Sequence, residues 1–137
     1  MRHPLIFSLC LICSMHAVAG ANHIAQARQM LKNYGLSQCI LEPFNERSAL
    51  EKDIELSAAA YSFMGNGMHA IRQNEDTLQV LHDPYKATRD YVFAAYAKTP
   101  SNSKHSNRKV VFHGCLAVYN SEAFASFINT QDAYIAE

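Results

Sequence analysis

The chain carries no surplus of charge. Its 12 Lys and Arg balance 12 Asp and Glu, for a formal net charge of zero. That balance removes the electrostatic ground for a nucleic-acid or anionic-membrane partner, and it leaves little repulsion against self-association. The apolar segment Leu5 to Met15 is too short to span a bilayer as a helix, which disfavours the alternative of a retained membrane anchor. Catalytic signatures are missing too. There is no G-x-S-x-G, no glycine-rich phosphate loop, no C-x-x-C-H and no H-E-x-x-H or H-x-x-x-H pair, so the familiar serine hydrolase, nucleotide, haem and zinc-protease readings have no support. Neither an internal repeat nor a low-complexity segment interrupts the 137 residues, which suggest one domain.

What is present begins with a leader. Met1-Arg2-His3 forms a short basic start, Leu5 to Met15 an apolar segment, and Ala17-Val18-Ala19 and Ala19-Gly20-Ala21 fit small-x-small cleavage sites. The expected division is a cleaved signal over 1–21 and a mature domain over 22–137. Cys10 follows Leu9 and Cys13 follows Ile12, neither of them the small residue that lipidation requires. Export would leave Cys39 and Cys115, and two cysteines in an oxidising compartment most simply pair. Such a ring contributes roughly 4 kcal/mol at most in chain-entropy terms. The competing reading is a reactive Cys115 thiol near His113.

Hydrophobic residues make up 49% of the chain, enough for a core. Periodicity predicts a compact all-α bundle of about five to six helices with one disulfide. Helix one is expected from about Asn22, as cap, to Leu41, with Ile24, Ala27, Leu31 and Tyr34 inward. Gly35 costs about 1 kcal/mol in a helix interior, which a close helix crossing would explain. Glu42-Pro43 stops it. Ser48-Ala49-Leu50-Glu51 is a capping box opening helix two, whose inward set is Leu50, Ile54, Ser57, Ala58, Tyr61 and Met64, with Gly65-Asn66-Gly67 as its left-handed cap. A third helical stretch is expected over Met68 to His82. Asp83-Pro84 then restarts a helix through Tyr85, Thr88, Tyr91, Val92, Ala95 and Tyr96; whether 68–97 is one kinked helix or two stays open. Lys98 to Asn107 reads as a loop, longer than the usual connection of about 4–6 residues. Helices over Arg108 to Tyr119 and Ser121 to Asn129 follow, and the tail from Thr130 is expected to fray.

The titratable residues give no catalytic set. His23, His69, His82, His105 and His113 lie scattered, and neither they nor the cysteines have metal-site spacing. Glu51, Asp53 and Glu55, and Glu75 with Asp76, read as solvated faces. The expectation is therefore a binding protein with no catalytic residues, no metal and no cofactor. An alternative is a periplasmic small-ligand or metal-binding helical module.

Three blocks point further: Leu31-Lys32-Asn33-Tyr34-Gly35-Leu36-Ser37-Gln38-Cys39-Ile40, Ser57-Ala58-Ala59-Ala60-Tyr61-Ser62-Phe63-Met64-Gly65 and Cys115-Leu116-Ala117-Val118-Tyr119-Asn120-Ser121-Glu122-Ala123-Phe124. Together, in this order and spacing, they resemble the type VI secretion amidase immunity proteins paired with the fourth class of amidase effectors. The chain departs from that family in Tyr34, where tryptophan is favoured, in Asp83-Pro84, and in a longer C-terminal tail. The resemblance implies a periplasmic helical protein, usually a homodimer, that binds a cognate peptidoglycan cysteine amidase and occludes its active site. It places the effector-binding loop on Lys98, Thr99, Ser101, Asn102, Ser103, Lys104 and His105.

Overall fold

One long helix organises the chain. The computed structural model describes the backbone of residues 10–44 and 47–136, and side chains within them from residue 20 onward. The elements are α1 (Cys10–Leu41), α2 (Ala49–Tyr61), β1 (Arg72–Gln73), β2 (Val80–His82), α3 (Pro84–Lys98), α4 (Val111–Tyr119) and α5 (Glu122–Asn129), then a 3-10 turn over Asp132–Tyr134. The fold is thus mostly helical and not purely all-α. The basic start of the expected leader, with Asn45, Glu46 and Glu137, lies outside the described residues.

Helices α2, α3, α4 and α5 all pack against α1. Its inward stripe is in large part the expected one: Ala27 and Leu31 are wholly buried, and Tyr34 and Cys39 nearly so. Ile24 lies outside the core. Asn22 is not the cap, because α1 already runs through Leu11, Met15 and Ala17, residues that favour a helix. No helix among the described residues is long and apolar enough to cross a membrane. Gly35 marks the crossing. A Cβ there would stand 2.9 Å from Phe124 Cζ of α5 and 3.0 Å from Thr88 Cγ2 of α3, so the bare backbone lets both helices close in. Cys39 and Cys115 form a disulfide across 76 positions, joining α1 to α4.

The capping box of α2 is complete: Ser48 Oγ accepts from the Glu51 amide at 3.0 Å, and Glu51 accepts from the Ser48 amide at 3.2 Å. The helix stops at Tyr61, earlier than expected, where Ser62 turns extended. Gly65 and Gly67 therefore make no left-handed cap, and neither has positive φ. Ala58 is the buried face of α2, whereas Leu50 and Met64 point outward at 69% and 78% exposure.

The helix expected over Met68 to His82 is absent; an antiparallel hairpin of β1 and β2 stands there. Two local causes are visible. The Asn74 side chain accepts from the Asp76 and Thr77 amides at 3.0 and 2.8 Å, an Asx turn that competes with helical hydrogen bonding. The apolar residues of the stretch also find nothing to cover, since Leu78, Val80 and Leu81 are all exposed. The open choice between one kinked helix and two is thereby resolved as hairpin, then helix. Asp83 caps α3 with Pro84 in its first turn, as the sequence predicts.

The expected frayed tail is instead pinned. Ala136 donates to the Met68 carbonyl and Ala70 to the Tyr134 carbonyl, each at 2.8 Å. Arg28 grips Asp132 through Nε at 2.9 Å and through a second nitrogen, and Tyr134 stacks on His82 with ring centroids 3.9 Å apart. Backbone pairing and aromatic stacking supply what helical periodicity could not predict.

Candidate functional site

The α3–α4 connection, residues 99–110, is a folded projection. Asn102 and Lys109 form an antiparallel bridge, the Ser103 amide donates to the Arg108 carbonyl at 3.0 Å, and Val110 donates to the Ser101 carbonyl at 2.8 Å. Below the tip the chain is anchored. Ser101 is 4% exposed and packs over Gly114 of α4, where a Cβ would come within 2.8 Å of Ser101 Oγ and 2.7 Å of Tyr96 Cε2. Cys115, the next residue, is held to α1 by the disulfide. Lys109 Nζ donates to the Tyr96 and Ala97 carbonyls at 3.0 and 2.8 Å, and Thr99 Oγ1 to the Ala95 carbonyl at 2.9 Å. Both ends of the projection are therefore tied to helices.

The residues named from the sequence separate into two groups on this geometry. Asn102, Lys104 and His105 are exposed near the tip, with the His105 amide donating to Ser103 Oγ at 3.1 Å. Lys98, Thr99 and Ser101 are root residues, and only Lys98 of these three is exposed. Sequence reasoning missed Arg108, Lys109 and Gly114, since it began the next helix at Arg108 whereas α4 begins at Val111. Val110 and Phe112 beside the projection are apolar and exposed, at 44% and 58%. A shallow hollow at the root is lined by Lys98, Pro100, Asn102, Lys109 and His113 among others.

The remaining candidates do not assemble into chemistry. Cys115 is in the disulfide, so no thiol is left there to pair with His113, which lies exposed on α4. Among the described residues no three His, Cys, Asp or Glu side chains converge as metal ligands. His69 is 2% exposed with both ring nitrogens unpartnered, and burial pushes its pKa down to about 4. The Tyr85 hydroxyl meets the His69 backbone, accepting from its amide at 3.2 Å. This is a packed core histidine beneath the C-terminal segment.

Residues 29–128 match the family model Tai4, described as type VI secretion system (T6SS), amidase immunity protein. No curated protein and no solved structure matches the chain.

Proposed function

The chain belongs to the type VI secretion system amidase immunity family, and from that premise we propose that it is a periplasmic inhibitor that binds a peptidoglycan cysteine amidase and closes its active-site cleft. The observation that carries this reading is the tied projection at 99–110, exposed at its tip and anchored through Ser101, Gly114 and the Cys39–Cys115 disulfide. An inhibitor of this kind needs no catalytic group. It excludes substrate by filling the space that substrate would occupy. A loop already ordered in the free protein loses little further conformational freedom on docking, which leaves more of the contact energy as affinity.

The reading includes a leader cleaved from 1–21, with the work done by 22–137, and a homodimer as the resemblance implies. Light scattering of the purified mature chain then gives the mass of two chains; a single-chain mass would remove the dimer from the account. For the loop, the discriminating variant keeps the buried Ser101 and replaces 103–107 with a Gly-Ser segment of equal length. Calorimetry against the cognate cysteine amidase should show a tight complex for the parent and at least a hundredfold weaker one for the variant, in line with loss of about 3 kcal/mol of interface contacts. Equal affinity would displace the loop from the interface, and no binding by the parent would end the reading.

A further inference from the structure

The zero net charge hides a segregation. Between Asp90 and Glu122 the chain contains no carboxylate, yet Lys98, Lys104, Arg108 and Lys109 all fall in that interval. All four are exposed, on the projection or at its roots. The ion pairs among the described residues lie elsewhere, joining Arg28 to Asp132 and drawing Lys86 and Arg89 to Asp90. Carboxylates gather instead on α2 and its approach, at Glu42, Glu51, Asp53 and Glu55. The N-terminus of α4 also opens at the projection without a side-chain cap, so its partial positive charge adds to that of the side chains.

Resting on the function proposed above, we propose that this cationic face docks an acidic protein surface: the amidase presents carboxylates around the cleft that the tip enters. The surroundings of the cations favour a protein over a lipid surface. Exposed Val110, at the foot of the projection, and exposed Phe112, in the first turn of α4, add apolar surface next to these cations in the chain, and apolar residues beside polar ones suit a protein interface. A lipid surface is met by one long helix with its cations and apolar residues on opposite faces; α4 has nine residues and the cations precede it. One of the charges is also fixed in place. Lys109 is held over the Tyr96 ring, 4.8 Å from its centroid, as well as on the α3 carbonyls. The consequence is electrostatic steering, which acts on association more than on dissociation.

The test is stopped-flow association with the cognate amidase, sought as a type VI secreted peptidoglycan cysteine amidase. The association rate constant falls about tenfold between low and near-physiological salt, and a Lys104→Glu, Arg108→Glu double variant lowers it about tenfold at low salt with dissociation changed less than about twofold. Lys52→Glu on α2, which changes a charge away from the projection, leaves the rate near that of the parent. A complex that forms with a salt-independent rate, untouched by the double variant, overturns this inference while leaving the inhibitor reading in place. Failure of the parent to bind at all overturns the inhibitor reading first. Charge-dependent capture by anionic phosphatidylglycerol vesicles, with amidase association unaffected by the double variant, overturns the inference in favour of a membrane.

Discussion

At Gly35 a single missing methyl group decides how three helices meet. The cost of a glycine inside a helix points to a crossing, and Phe124 and Thr88 are the side chains that occupy it. Gly35→Ala gains about 1 kcal/mol of helix propensity but overpacks a full core at about 1–3 kcal/mol. The net expectation is a lower urea midpoint with an unchanged slope. His69 was legible only as one more histidine, because nothing in its neighbours' sequence says that the C-terminal segment will fold over it. Its pKa stands at about 4 when folded, against about 6.5 when unfolded. The unfolded chain takes the proton first, so stability is full above about pH 6.5 and declines as acid is added towards pH 4, by roughly 3 kcal/mol in all. Denaturation midpoints measured across that interval should fall steeply for the parent and much less for His69→Leu.

Among the elements, helices with a buried stripe and a clear cap could be read from the sequence. The Ser48–Glu51 box, the Asp83-Pro84 start and the Ser121 cap of α5 all stand where their local chemistry puts them. The hairpin could not be read, because Ile71, Leu78 and Leu81 mimic helical spacing while the deciding interaction, the Asn74 turn, is local and polar. The pinned tail was equally hidden, since its partners Arg28, Met68 and His82 are remote in sequence. Pairing of the cysteines followed from their number, and the structure adds why it matters: it ties α4, which carries the root of the projection, to α1. Replacing Cys39 and Cys115 by serine should remove up to about 4 kcal/mol of a total of about 5–15, read from urea denaturation. Gly114→Ala works on the same root. Its Cβ would press on Tyr96 and Ser101, so amidase inhibition should weaken by more than the accompanying drop in melting temperature explains.

Seen as a whole molecule, the chain is a scaffold of helices around α1 from which the polar, basic loop at 99–110 projects. The sequence marked that projection as unusually long, and its carboxylate-free surroundings were equally available there. Summing the charges conceals them, because the compensating acids are spread over the rest of the chain, at Glu42, Glu51, Asp53, Glu55, Glu75 and Asp76 among others. The family match spans residues 29–128 and so includes the C-terminal part of α1 with Cys39, the projection itself and most of α5. On the proposed reading, the protein acts by shape and charge on an amidase's cleft. The most direct measurement is steady-state inhibition of a type VI secreted cysteine amidase, the proposed partner, acting on peptidoglycan stem peptides. The account predicts competitive inhibition by the parent chain, lost when 103–107 are replaced by Gly-Ser at unchanged melting temperature. Undiminished inhibition by that variant, or amidase turnover indifferent to the parent, would contradict it.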